Sequence, residues 1–413
     1  MKLWKKLLLV LLVLVLLSQI PFAYRRYKLG RLQATIHQIY FDRPAPDESG
    51  VVEYKGVMHV HSFLGGHSNG GFEEIIAAAG ANQLDFVVMT EHTSNNFNTA
   101  AMTLKGNHDG TLFINGNEVS APNGDRLLVV PGDEQSPAVD NPSSVEELIS
   151  RTKAAGRFAF VAYPDQFKSW PASGLDGVEI YNIYTNAQQI NPLVMFFDGL
   201  WSYRGYPDLL FANFYHRPTE SLAKWDQRIN QTGQRLVATA GNDAHANVGI
   251  SLNDATGKSL LGFKLDPYER SFRLVRMHVL VDDPLRYSHY SFPRSLDEVT
   301  LLRGLAAGHT FIGFDLFGDT TGFRFTASDN DERKMMGDEI KLENEVTLKV
   351  SVPVAARIVL LKDGAQIHQL DGTNQMTFVA KEKGSYRVEV YPSQLPKPVS
   401  SQPWILSNPI YVR

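Results

Sequence analysis

Four apolar runs in this chain end in residues that can hold a metal ion, and this recurrence restricts the fold more than any other feature. Gly56–Val60 carries His59 and leads into His61, and Asp85–Thr90 leads into Glu91 and His92. Leu112–Asn115 leads to Glu118, and Leu236–Ala240 to Asp243 and His245. Side chains alternate along a strand, so His59 and His61, two residues apart, share a side. A His-x-His pair is a weak signal by itself. Four such strand ends are not, because in a parallel β/α barrel those ends converge on the face where active sites are built. With no cysteine in the chain, any metal must be held by His, Asp and Glu. That donor mix suits zinc, manganese or iron. With His67, in the glycine-rich loop after His61, five histidines join Glu118 and Asp243 as seven candidates. Seven exceed the needs of one four-coordinate ion, so more than one divalent ion is expected.

The rest of the chain frames this site. Its 413 residues exceed one ordinary domain. A formal charge of -4 gives no basis for nucleic-acid binding. Lys2, Lys5 and Lys6 precede an unbroken Leu/Val run from Leu7 to Leu17. Residues 1–24 therefore read as a signal peptide or an uncleaved signal anchor. Cleavage would leave a secreted protein; retention would leave one membrane-anchored, facing the periplasm or cell exterior. Residues 25–50 read as a polar stalk ending in a turn-rich run. Strands and helices alternate over 51–320, with helices expected at Phe72–Gly80, Ser143–Ala155 and Ser221–Gln231 and an aromatic-rich insertion near 190–220. From 321 to 413 the texture is β-rich, with Asp363-Gly364 as a hairpin turn, and suggests a small β-sandwich.

The motifs occur in a familiar order: His59-Val60-His61, His67-Ser68-Asn69-Gly70, Thr90-Glu91-His92, Gly116-Asn117-Glu118, Tyr163-Pro164 and Gly241-Asn242-Asp243-Ala244-His245. This resembles the polymerase-and-histidinol-phosphatase (PHP) superfamily of metal-dependent phosphoesterases, and within it the CehA/McbA-type metallohydrolase branch. The resemblance covers roughly residues 55 to 245 and implies a distorted seven-stranded β/α barrel. It implies one metal held by His59, His61, Glu118 and Asp243, and another by His67, His92 and His245. A third family site would use histidines where this chain has Arg126 and Tyr163, so that site is expected to be lost. Arg126 instead offers a fork of donors for a phosphate or carboxylate oxygen, with Tyr163 beside it. Glu91 stands where the family has aspartate, and Glu179 lies on a strand that often precedes the last motif.

The expectation is a hydrolase acting outside the cytoplasm on a small-molecule or envelope-derived ester, most simply a phosphoester, through metal-activated water. Asp243, His92 and His245 are its candidate catalytic residues. Two alternatives remain open: cleavage of a carboxyl ester, amide or carbamate, and an envelope-binding protein that has lost catalysis.

Overall fold

The computed structural model of the chain describes residues 2–41, 51–135, 142–188, 190–247, 249–253, 259–264, 266–282, 296–329 and 332–413. It is a mixed α/β structure. Labelled helices are α1 (Leu3–Phe41), α2 (Phe72–Ala81), α3 (Val145–Ala154), α4 (Pro192–Ser202) and α5 (Thr219–Thr232). Strands around the site are β1 (Val51–Val60), β2 (Phe86–Met89), β3 (Glu91–His92), β4 (Thr111–Ile114), β5 (Asn117–Ser120), β6 (Arg126–Val130), β7 (Phe158–Ala162), β8 (Gly177–Asn182) and β9 (Val237–Gly241).

Two sheets carry these strands. One runs β4–β2–β1, with both pairings parallel, and then continues antiparallel into β10 (Arg276–Asp282) and β11 (Thr310–Gly313). The other has the order β9–β8–β7–β6–β5–β3. β3 follows β2 across the single residue Thr90, and β5 follows β4 across Asn115 and Gly116, so both sheets share these chain segments. A parallel bridge between Val60 and Ala244 links the end of β1 to the segment after β9. Not every strand is parallel: β6 is antiparallel to both β5 and β7. That reversal brings its first residue, Arg126, to the edge where the parallel strands end.

The local chemistry explains the helices. Ser144 caps α3 by accepting a hydrogen bond from the Glu147 amide, and Glu146 and Glu147 occupy its first turn. α5 turns Leu222, Trp225 and Ile229 inward, and the Trp225 indole donates to the Leu236 carbonyl.

The β-rich tail is joined to this body. Its strands β12 (Val346–Lys362) and β13 (Ala365–Ala380) form one long hairpin, with Asp363 and Gly364 at φ 53° and 85° as its turn. β14 (Gly384–Tyr391) pairs with β12, and β15 (Ile405–Ser407) pairs with both β14 and β11. Sheet pairing therefore crosses the division expected near residue 320. Asn408 reinforces the seam, accepting from the Ala238 amide and donating to Thr310.

The stretch expected to be a polar stalk differs from expectation over its described part. α1 continues through it to Phe41, with Leu29, Leu32 and Ile39 buried. Arg25 and Leu29 lie a helical turn apart, so one side of the helix reaches α4 and the core together. Among the described residues α1 alone is long and apolar enough to cross a membrane. Residues 42–50 lie outside the described residues.

Candidate metal centre

The expected donors meet where β1, β3, β5 and the loop after β9 end. Three of the residues that shape the site have left-handed backbones: His59 at φ 62°, Tyr163 at 50° and Asp243 at 48°. Such conformations are uncommon for residues with a Cβ and persist only where surrounding packing enforces them. At His59 the pairing of β1 with β2 shifts register. The pair thus reaches one site from a bulge and not from a regular strand.

Both rings are fully buried, as are the carboxylates of Glu118 and Glu179. His59 Nδ1 lies 2.6 Å from Glu179 Oε1. In the tautomer that bond favours, Nδ1 donates and Nε2 keeps a free lone pair. That nitrogen lies 3.3 Å from Glu118 Oε2 and 3.5 Å from Asp243 Oδ1. His61 Nε2 lies 3.4 Å and 3.6 Å from the same two oxygens. Ligand atoms bound at about 2.0–2.1 Å to one ion lie roughly 3.0–3.4 Å from their neighbours. No hydrogen-bond partner among the described residues reaches either His61 ring nitrogen or Asp243 Oδ1, all of them buried. Buried polar atoms are rarely left so, and a cation between His61 Nε2 and Asp243 Oδ1 would satisfy both.

Two overlapping groups could hold a metal ion: His59, His61 and Glu118, and His61, His92 and His245; Asp243, expected with the first, is in neither and borders it at 3.5–3.6 Å. The second differs from the expected trio. His61 lies against both His92 and His245, at ring-centroid distances of 4.4 Å and 4.3 Å, and those two rings are 6.0 Å apart. His67 is exposed on its loop, its ring edge-on to His92 at 5.3 Å, and it is not among the grouped donors. The loop is held through its backbone and Ser68, whose hydroxyl bonds the Tyr268 hydroxyl and donates to the His245 carbonyl. Its pinning points therefore flank His67 and leave the His67 ring outside.

Charge follows from this crowding. Burial alone would raise Glu118, but His59, His92 and Arg126 hold it at about 2. Burial lowers His61, and the neighbouring imidazoles push it further below its usual range, which keeps it neutral. His59 is driven the other way: despite burial, Glu179, Asp243 and Glu118 raise it well above its usual value. Three carboxylates around two imidazoles make a cage that favours a cation.

Arg126 and Tyr163 fill part of that cage. Arg126 Nη1 donates to Glu118 Oε1 at 2.9 Å, and its guanidinium lies over the Tyr163 ring, 5.4 Å from the centroid. The Tyr163 hydroxyl donates to Asp243 Oδ2 at 2.8 Å. Neither side chain simply points to solvent, although Arg126 remains 43% exposed and can reach a ligand. Glu91 is used otherwise: it accepts from the Ser62 amide and hydroxyl and from the Thr103 hydroxyl. It fixes the turn after His61 and is not among the grouped donors.

Sequence reasoning gave no role to Asn182, the last residue of β8, or to Gly241, the first of the last motif. The Asn182 amide donates to both Glu179 and Asp243. A Cβ on Gly241 would fall 1.5 Å from Glu179 Oε1, so glycine is needed for Glu179 to reach His59. Beside the centre lies a small, open cleft of about 40 Å³, whose walls include Tyr163, Glu179, Tyr181, Asn186 and His216.

No family model and no curated protein matches this sequence. Among solved structures, PsfC from Pseudomonas syringae PB-5123 aligns at 12% identity over 63% of this chain and 92% of that one, with a TM-score of 0.35. A likeness of that size carries no argument about fold or activity.

Proposed function

We propose that this chain is a metal-dependent hydrolase of the PHP type, acting on a phosphoester. The observation that carries the reading is the set of contacts from His59 and His61 to Glu118 and Asp243. The four separations run from 3.3 to 3.6 Å, those to Glu118 at the spacing of neighbouring ligands on one ion and those to Asp243 slightly wider, and two of the donor atoms are buried without a partner among the described residues. The family's distorted seven-stranded barrel finds support in the strand order: β1, β2 with β3, β4 with β5, and β6 to β9 in succession, with Val60 and Ala244 bridging the ends. The β-rich tail is read as a sandwich packed on that body, and α1 as a retained anchor that holds both outside the cytoplasm.

When bound, divalent ions would supply Lewis acidity and a water acidic enough to act as nucleophile. The protein's own contribution is orientation and charge. Glu179 holds His59 with Nε2 toward the other donors, and Asn182 steadies Glu179 and Asp243 together. Arg126 presents donors on the open side, where a phosphoryl oxygen would be bound. Where it holds no metal, His92 or His245, half-buried at the mouth, would carry a proton to the leaving group.

Metal content of protein purified without chelator, and hydrolysis of a phosphomonoester, a phosphodiester and a carboxyl ester, test the reading. Bound metal and phosphoester turnover that Asp243→Ala abolishes are expected. Turnover of the carboxyl ester alone would change the bond class. A metal-free protein inactive on all three would favour the binding-protein reading, for which the Arg126–Glu118 pair is the specific observation.

A further inference from the structure

α4 is inside out. In a helix lying on a water-facing surface, apolar residues turn inward and polar ones outward. Here Asp198 and Ser202 are buried, whereas Leu193, Phe196 and Leu200 are 67%, 63% and 70% exposed. Those three residues recur at i, i+3 and i+7 and so share one face. The buried face is claimed by α1. Arg25 makes a two-pronged pair with Asp198, with contacts of 2.6–3.0 Å, and Arg26 donates to the Trp201 carbonyl at 2.6 Å. Phe22 packs on Phe197 at 5.0 Å between centroids, and the Trp201 indole donates to Gln19.

These contacts fix the level of α4 along α1. From Leu3 to Ile20 the apolar side chains of α1 are exposed, over a length of about 27 Å at 1.5 Å per residue. That is close to the thickness of a bilayer's hydrocarbon core. α4 meets α1 at Gln19 to Arg26, where this stretch ends. The same level carries Tyr24, Tyr27, Trp201, Arg25, Arg26 and Lys28, the aromatic and basic residues that favour a membrane–water interface.

We infer that α4 is a second membrane element: an interfacial helix that lays Leu193, Phe196 and Leu200 into the lipid surface beside the span of α1. The bilayer, and not a partner protein, is assigned to this face because the face is continuous with the exposed apolar surface of α1. Contiguous exposed apolar surface marks an interaction site, and helices of this kind bury their apolar side at the acyl–headgroup boundary. α4 follows the short helix Ile183–Ala187, from which Thr185 and Asn186 help wall the cleft beside the metal centre. The seat therefore tethers that cleft near the lipid surface. The inference rests on the reading of α1 as a retained anchor and is independent of the reaction proposed above.

The chain contains no cysteine, so single-cysteine labelling is clean. Full-length Phe196→Cys, Leu200→Cys, Val13→Cys and Lys381→Cys variants would each carry an environment-sensitive fluorophore. They would be reconstituted in phosphatidylethanolamine/phosphatidylglycerol vesicles doped with lipids spin-labelled at shallow or deep acyl positions. The labels at 196 and 200 should shift to the blue and lose emission to the shallow quencher. The label at 13 should lose emission to the deep quencher, and that at 381 to neither. Quenching at 13 without quenching at 196 and 200 overturns the α4 seat alone. Absence of quenching at all three overturns the anchor as well. Protection at 196 and 200 that requires raised protein concentration and is insensitive to lipid quenchers assigns the face to a second copy, and overturns the inference.

Discussion

Glu179 shows how a single buried side chain governs this centre without being among the grouped donors. Its bond to His59 Nδ1 selects which ring nitrogen faces Glu118 and Asp243, and Gly241 leaves the space it needs. Glu179→Gln keeps the shape but loses the charge. It should weaken metal affinity by about 10- to 100-fold, the usual cost of losing such a partner, as read by competition with a chelating dye. Arg126 tests the other side of the site. Arg126→Ala should raise the KM for an anionic phosphoester roughly tenfold or more, the equivalent of about 1.5 kcal/mol for a charge-assisted hydrogen bond. An unchanged KM would show that Arg126 serves only to neutralise Glu118. His59, His61, His92, Glu118, Asp243 and His245 were legible as a set because each follows an apolar run. The exposed position of His67 was not, since the path of a glycine-rich loop depends on what its backbone and Ser68 meet across the fold.

At the scale of elements, local rules did most of the work. The Asp363-Gly364 turn and the Ser144 cap are encoded within a few residues, and both form as their chemistry requires. Ser144→Ala should cost about 0.5–2 kcal/mol, measured as a lowered denaturation midpoint with an unchanged slope. A loss below that range would mean that packing of Val145, Leu148 and Ile149 holds α3 without its cap. Strand direction was not local. Nothing within Arg126–Val130 states that it runs against its neighbours, yet that reversal carries Arg126 to the metal centre. α4 is the converse case. Hydropathy alone would turn its Leu and Phe residues inward, but Asp198 is drawn inward by Arg25, far away in sequence, and the apolar face is left outside.

The whole molecule is tied together by buried charge as well as by sheet pairing. Asp226 on α5 pairs with the buried Arg387 of β14, which also meets Glu389. On the other side His278 of β10 lies 2.8 Å from Glu53 of β1 and 3.4 Å from Asp315. Burial alone would lower His278, but Asp315 and Glu53 raise it from 6.5 to about 9. A raised folded-state pKa stabilises fully below the unfolded value and is lost as pH climbs through the folded one. Stability should therefore fall between about pH 6.5 and 9, by about 3 kcal/mol at most for a shift of this size. Urea denaturation of the detergent-solubilised protein across that range checks it. His278→Gln should flatten the profile, and an equally steep decline in that variant would assign the effect elsewhere.

The sequence by itself marked the candidate donors and determined the long apolar helix, the alternation of strands and helices and the hairpin of the tail. These depend on spacing, periodicity and turn chemistry, which act over a few residues. Only the tertiary structure decided which donors share a place, that Arg126 pairs with Glu118, that β15 returns to join the tail to β11, and that α4 turns its apolar side outward. Those outcomes join residues from about ten to nearly two hundred positions apart. Their energies come from burial and charge pairing that exist only once the chain has closed on itself.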